Sequence, residues 1–570
     1  NTYKLRASIY TKHSEKVATA ASIYYNSTDG LFENSYTGEL CDWETSMGAR
    51  LKVAYRGANN LRIENTTSAA SVDQGGYPYR LIDSNEVSYN QPASYDRTSI
   101  SNGTTVKYQG GNYSLASITS YQYIDDDMYF DNDFTTDDYF TLRQAIKEHS
   151  ITEDIVYRSE HDSPYNYLIG AFGFYKNQNM DAPVTFKEYG INNLILYYVN
   201  KYLGEPNNRE YIWDESEFIL NSLFTNRAMG GALYHESKYE TERLLLAAGV
   251  RLDYERASLK YINTTDSSYS IYYSDGTSKS KSISIGEGDK IATDFLELLP
   301  KASALYRIGR HNQSSIYISA AKGYKAGGFN TQMFSDILQQ RVMSEFGISA
   351  SSYDTDEIIT YKPEHSWNFE VGSHLENLNR TLAADLTLFY IDCRDQQLTL
   401  FPEGQTTGRM MTNAGRSRSY GAEAALAAKL SERVNFRGSY GYTNAKFVDY
   451  IDGEDNYAGN FVPYAPQHTL YAELSYTQPT SLSWIERIGF DLNSSGAGRI
   501  YWNEDNSCLQ PLYALVGAAI RLEQENYTLS FWAKNILNQE YNTFYFMSME
   551  REFVQSGRPR TIGATLTINL

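Results

Sequence analysis

A chain of 570 residues could hold roughly three or four ordinary domains, or one large β-barrel in which every added strand lengthens a single domain. With 69 Asp+Glu against 50 Lys+Arg and a net charge of −19, it presents no basic face to the phosphates of a nucleic acid. It has no apolar run of about 18 residues, so no transmembrane helix is expected.

The first element, near Thr2–Thr11, and the last, Thr561–Leu570, frame a series of alternating segments. In "GRPRTIGATLTINL" the residues Ile562, Ala564, Leu566, Ile568 and Leu570 alternate with Thr561, Gly563, Thr565, Thr567 and Asn569. The same period of two recurs at Ala384–Tyr390, Ala422–Leu430 and Leu470–Tyr476, and it sorts side chains onto opposite faces of a sheet. Short polar turns follow in chain order at 12–16, 56–60, 109–112, 161–166, 309–313, 376–380, 431–435 and 524–526. Between them lie longer connections near 69–98, 125–148, 176–224, 264–293, 327–361 and 448–465. Alternation of short and long connections fits an outer-membrane barrel, with turns in the periplasm and loops outside. A soluble β-sandwich binder is the competing architecture, and it has no reason to sort its loops by length.

Tyrosine supports the membrane reading: 51 Tyr stand against 24 Phe and 6 Trp. A tyrosine ring lies in lipid while its hydroxyl reaches the headgroups. Cys41, Cys393 and Cys508 are odd in number and lack metal-type spacing. The N-terminal segment does not read as a signal peptide, so Asn1 is expected to be a mature end or an internal cut. Counting strands in this register gives about 21. The final strand is expected to close the ring against the first, although an odd count leaves those two running in the same direction.

Six stretches in order, "ISAAKGYKAGGFN" (318–330), "YKPEHSWNFEVGSHL" (361–375), "TNAGRSRSYGAEAAL" (412–426), "YAPQHTLYAELSY" (464–476), "FWAKNILNQEY" (531–541) and the closing "GRPRTIGATLTINL", resemble the barrel of TonB-dependent outer-membrane transporters, best those for ferric siderophores and related iron complexes. "DGLFEN" (29–34), "ITEDIVYRS" (151–159) and "YNYLIGAFGFY" (165–175) fit the same template. The resemblance implies an all-β, transmembrane antiparallel barrel of the 22-stranded type over residues 1–570. The plug domain and the first strand are not recognised in this chain. They would come from an upstream region or a second polypeptide; a plugless barrel is the third alternative. The family's terminal aromatic is replaced by Leu570.

The resemblance further implies uptake energised by TonB through that plug, no catalysis and no resident cofactor. Cobalamin, haem or glycan uptake is the alternative within the architecture, and a plugless structural barrel the alternative outside transport. Lipopolysaccharide, membrane lipid and a surface lipoprotein are the further partners to expect. No catalytic constellation stands out among the scattered histidines. His365 is a candidate haem ligand, against the simpler reading of a solvated or turn histidine. "YQYIDDDMYFDNDFTTDDYF" (121–140) is a candidate calcium loop, against the simpler reading of a solvated acidic loop. Carrying the alternation upward puts Lys325, Arg409, Arg499 and Tyr501 inward, where they could meet an anionic ferric chelate or pair with carboxylates. Arg418 falls on the outward set near the outer rim, within reach of a lipopolysaccharide phosphate.

Overall fold

The computed structural model describes residues 1–57, 60–131, 133–309, 313–331, 334–348, 359–400, 410–452 and 454–570. Among them, twenty-one long strands form one sheet: β1 (Thr2–Lys12), β2 (Val17–Thr28), β3 (Glu44–Arg56), β4 (Leu61–Gly75), β5 (Ser94–Gln109), β6 (Tyr113–Asp131), β7 (Phe140–Ser159), β8 (Tyr165–Asp181), β9 (Glu217–Glu240), β10 (Leu244–Tyr273) and β11 (Ser278–Ile308). The series continues with β12 (Ser314–Lys325), β13 (Glu364–Glu376), β14 (Leu382–Leu400), β15 (Met410–Lys429), β16 (Val434–Asp449), β17 (His468–Leu482), β18 (Ile485–Gly498), β19 (Tyr513–Gln524), β20 (Tyr527–Lys534) and β21 (Thr561–Ile568). Each pairs antiparallel with its sequence neighbour, from the β1–β2 ladder to the β20–β21 ladder.

The register carries the two-face pattern from strand to strand. Ile9 lies opposite Ala21, Ala21 opposite Leu51, and on the far wall Ala304 opposite Ile318, Ile318 opposite Val371, Val371 opposite Leu388. This is the set that meets hydrocarbon. The other set is charged. Arg251 donates to Asp253 at 2.6 Å and lies over the rings of Phe172 and Tyr234, while the Tyr234 hydroxyl donates to Asp154 at 2.7 Å. Arg521 similarly holds Asp491 at 2.6 Å and Glu523 at 2.7 Å. Such groups belong to a watered lumen.

Part of the tyrosine surplus lies at the short-turn end. Tyr108, Tyr113, Tyr157 and Tyr167 form a ladder of rings with successive centroids 6.0, 5.6 and 6.1 Å apart. Set side by side on adjacent strands, they make one arc of an interfacial girdle.

Three expectations change. The stretch 264–293 is no loop: β10 and β11 stay paired out to Tyr272 opposite Ser278, turning at Tyr273–Ser278. Gly276 takes φ +85° there, and the Asp275 carboxylate accepts the Thr277 N–H at 2.9 Å. Above the bilayer its outward face meets water while its inward face, with Leu259, Asn263, Thr265, Tyr269 and Ile271 buried, packs under the loops, and the small polar residues on both faces interrupt the alternation that marks the spanning parts. The acidic run 121–140 is likewise strand as far as Asp131, with Asp125 opposite Lys147 and Asp127 bonded to Arg143 at 2.9 Å.

Nor does β21 close on β1. Among the described residues no ladder joins them; β1 pairs with β2 and β21 with β20. Twenty-one antiparallel strands leave the outer two parallel to each other, and one further strand between them restores the alternation.

Candidate ligand vestibule at the outer mouth

Everything that caps the barrel sits at the long-loop end. The helical stretch Glu188–Asn207 and helix α1 (Phe334–Glu345) pack on the luminal face of the tall β9–β11 wall. Phe334 is fully buried against Phe224 and Tyr261, with ring centroids 5.0 and 4.4 Å away. Val199, Phe218, Leu220 and Leu338, all within a larger buried cluster, hold the helical stretch in place. These apolar residues lie on the inward set, where the spanning part of the wall is polar.

Beside them, two loops far apart in sequence make a three-stranded sheet. Asn542–Ser548 pairs with Arg551–Ser556, and the latter pairs with Tyr79–Leu81. Met549 and Glu550 both take positive φ in the connecting turn. The Arg80 guanidinium donates to the Ser556 hydroxyl at 2.9 Å and to the Ser84 carbonyl, which locks the join. Phe553 is fully buried, stacked on Phe546 at 5.2 Å and edge-on to Phe134 at 5.8 Å.

This sheet walls a cavity of about 270 Å³. Its lining is aromatic, with Tyr79, Tyr95, Phe130, Phe134, Phe544 and Phe546 prominent. Tyr79 meets Phe134 and Phe546 edge-on, at 5.2 and 4.8 Å. Phe134 holds φ +55°, an unusual conformation for an aromatic, and aims its ring into this cluster.

A buried acidic turn explains how. Asp131 ends β6 well beyond the bilayer, since about ten residues of a strand suffice to span it. Its carboxylate accepts the N–H groups of Asp133 and Phe134, each at 3.1 Å. Asp133 in turn accepts the Thr135 hydroxyl at 2.6 Å and the Tyr139 N–H at 3.3 Å. Burial first, and the neighbouring Asp133 carboxylate second, push the Asp131 carboxyl up to about 8. Asp133 is pushed up as well, again by burial. Among the described residues no group of three or more His, Cys, Asp or Glu is arranged to hold a metal ion.

The residues singled out from sequence are dispersed. Lys325 is exposed at the end of β12, opposite Glu364. Arg499 is exposed at φ +48°, just past β18. Tyr501 lies in a short hairpin and stacks on Phe461 at 5.0 Å, with the Lys446 ammonium over that ring. Arg409 lies outside the described residues. His365 is no turn histidine: it stands in β13 with its Nε2 2.8 Å from Glu297, which also accepts from Lys322 at 3.2 Å. Arg418 is on the outward set, opposite Asp392 and two residues from Tyr420. Arg394, Arg416 and Arg418 converge on that one carboxylate, at 3.5, 2.5 and 3.4 Å. At Gly327 and Gly328 the backbone is approached closely, since a Cβ on either would lie 2.4 Å from an atom of Tyr361.

Sequence reading missed the vestibule aromatics. One local signal is the alternation of "NTFYFMSMEREFVQ" at 542–555, which reads as a hairpin.

Comparison with known proteins bears on all of this. In a local match the chain is 25% identical over 213 residues to the metal-pseudopaline receptor CntO of Pseudomonas aeruginosa, covering 37% of this chain and 28% of that protein. It is 26% identical over 216 residues to the iron-regulated outer membrane virulence protein of Vibrio cholerae, covering 35% and 31%. The matched stretches thus span less than a third of these relatives. Among solved structures, the ferric yersiniabactin uptake receptor FyuA of Yersinia pestis superimposes with a TM-score of 0.76 at 16% identity, covering 100% of this chain and 78% of that one. The ferric citrate transporter FecA gives 0.63 at 15% identity, covering 99% and 78%. At these identities the likeness is one of fold. The family profile described as TonB dependent receptor-like, beta-barrel matches residues 18–536. The chain therefore belongs to the TonB-dependent receptor β-barrel family and is a protein of the bacterial outer membrane.

Proposed function

We propose that this chain is the wall and outer mouth of an importer for a ferric siderophore or a similar iron complex. The observation that carries this reading is the aromatic vestibule: a cavity of about 270 Å³ at the outer end of a TonB-type barrel, lined by rings and offering no metal-ligand cluster among the described residues. Such a lining suits an already chelated metal, whose organic shell presents flat or apolar surface to Tyr79, Phe134 and Phe546. Lys325 and Arg499, exposed on the outer side, together with Arg409 and Tyr501, would meet the negative charge of the chelate.

In this reading a plug fills the lumen and couples ligand release to TonB, and one strand occupies the seam between β21 and β1. Both come from upstream sequence or from a second polypeptide. The Arg394–Arg416–Arg418 group carries more positive charge than Asp392 balances, just above Trp367, Tyr390 and Tyr420, and so faces the phosphates of the outer leaflet.

Growth on single iron sources, with and without the gene, tests the substrate class. Loss of growth on one ferric siderophore is expected, and equal growth on every source removes the reading. With that chelate in hand, the pair Tyr79→Ala and Phe546→Ala should weaken its binding about tenfold or more, or roughly 1.4 kcal/mol, by fluorescence titration of the purified protein.

A further inference from the structure

The vestibule cavity has a sign of charge. Among the described residues that line it there is no Lys, Arg or His, and Asp131 is the single carboxyl. The other polar side chains there are hydroxyls and amides, such as Tyr95, Ser94, Gln144 and Gln339. Asp131 is 2% exposed. Its Oδ1 accepts the two N–H groups of its own turn, while its Oδ2 accepts the Gln91 N–H at the long distance of 3.4 Å.

The groups that face this carboxyl are acidic or neutral. Asp133 lies on the same turn, the buried Tyr89 on the segment 87–91, and Thr141 opposite on β7. Further along the turn, Asp138 accepts the Gln91 amide at 3.2 Å. The cations of the neighbouring elements are engaged elsewhere: Arg551 on Asp137 at 3.3 Å, Arg97 on Asp126 at 2.5 Å, Lys187 on Glu217 at 2.6 Å and Arg341 on Glu287 at 3.4 Å. Arg80 is turned to Ser556 at 2.9 Å. A buried carboxyl in such surroundings is neutralised by a proton or by a cation, because an unpaired charge there is costly. In the chain by itself the proton does this, since the group titrates at about 8.

The rings around it favour a cation. Tyr79 meets Phe134 at 89° and Phe134 meets Phe546 at 73°, so their faces turn in different directions, as the walls of a box do. An aromatic face is the negative end of a quadrupole and attracts an ammonium within about 6 Å of its centre. Such faces do not replace the oxygen shell of a bare metal ion, and among the described residues no metal-ligand cluster is found. The cation that suits the box is organic.

We propose that the vestibule cavity binds a cationic group, an alkylammonium arm of the ligand, between the rings of Tyr79, Phe134 and Phe546 and the carboxylate of Asp131. This rests on the importer reading above and adds to it that the cargo carries positive charge on its organic shell. The ammonium takes the place of the proton on Asp131, which passes to solvent, so affinity rises with pH. The ionised fraction of a group titrating at about 8 grows from about 1% at pH 6 to about 90% at pH 9.

The test is isothermal titration calorimetry of the purified full chain in detergent, with choline and with its uncharged carbon isostere, dimethylbutanol. At pH 9 choline should bind at least about tenfold more tightly than the isostere, and at pH 6 at least about tenfold more weakly than at pH 9. At pH 7 about one proton per choline should enter the buffer, read from buffers of different ionisation heat. Asp131→Asn should bind choline equally at both pH values and release no proton, while keeping its folded band on unheated gels. Phe546→Leu should weaken choline about threefold or more and spare the pH dependence. No choline binding at pH 9, an isostere bound as tightly, equal affinity at the two pH values in the native chain, or an undiminished slope in folded Asp131→Asn would each overturn the proposal. If Asp131→Asn does not fold, the isostere and the proton count in the native chain decide alone. Failure here leaves the iron importer standing on its growth assay, whereas equal growth on every iron source removes the iron cargo and leaves the choline result as measured.

Discussion

Phe553 is the keystone of the vestibule wall, and its removal has a calculable result. The ring is fully buried, stacked on Phe546 and edge-on to Phe134, within the small sheet that joins the loop at 79–81 to the loop at 542–556. Truncation to alanine forfeits the transfer energy of a buried phenylalanine and leaves a cavity, together about 3–5 kcal/mol. Little of this reaches the spanning parts of the wall: the ring contact with a long strand is Phe130, at the outer end of β6, stacked on Phe134 at 6.0 Å. The loss therefore appears as local opening of the three-stranded sheet. At 1.4 kcal/mol per factor of ten, even the lower bound raises the open population more than about 100-fold. Hydrogen–deuterium exchange of Phe553→Ala in detergent should show that acceleration at the amides of residues 79–81 and 551–556. The β10–β11 ladder should exchange as before, and the folded band on unheated gels should remain. Unchanged exchange in the small sheet would show that the joined loops are held by something other than this ring cluster, and the argument would fail.

Asp131 predicts a pH dependence. Its folded carboxyl titrates at about 8 against an ordinary 3.8, so between those values the folded loop binds a proton that the opened loop releases. Stability of the 131–139 turn should thus be greatest below about pH 4 and fall as pH rises through about 8. Exchange rates of its amides at pH 5 and pH 9, corrected for intrinsic rates, should show this fall in the native chain and lose it in Asp131→Asn; equal slopes would refute the assignment. Inside the barrel, a Cβ on Gly170 would lie 2.1 Å from the Tyr234 ring, whose hydroxyl donates to Asp154. Gly170→Val should cost about 2–4 kcal/mol through overpacking and the lost bond, read as a lower thermal midpoint of the folded band. Gly173→Ala, where the nearest atom is 3.9 Å away, should leave that midpoint alone.

The spanning strands were legible because lipid imposes one apolar face on each, and a period of two survives in "HTLYAELSYT" or "TIGATLTINL" without knowledge of neighbours. The count of 21 followed for the same reason. Above the membrane that constraint vanishes. "YINTTDSSYSIYY" and "SKSKSISIGEGDK" carry polar residues on both faces, the buried Asn263 and Thr265 among them, read as loop, and are in fact a long ladder. The vestibule was less legible still. Tyr79 and Phe546 meet at 4.8 Å only because segments some 470 positions apart share a sheet, and no local pattern announces that pairing. Lys325, Arg499 and Tyr501 were chosen by charge and by strand phase, and phase ends where the strand does.

The β10–β11 hairpin runs far beyond the bilayer. Thirty residues at about 3.3 Å each reach close to 100 Å along the strand, several times what the spanning portion uses. Its tip, Ser274–Thr277, turns on Gly276, beside which there is open space. That tip stands above the cell surface, with the strand Arg209–Trp213 paired alongside as far as Tyr273, and is open to an immunoglobulin, a phage fibre or an engineered epitope. A peptide tag spliced there would report surface display in living cells without touching wall or vestibule.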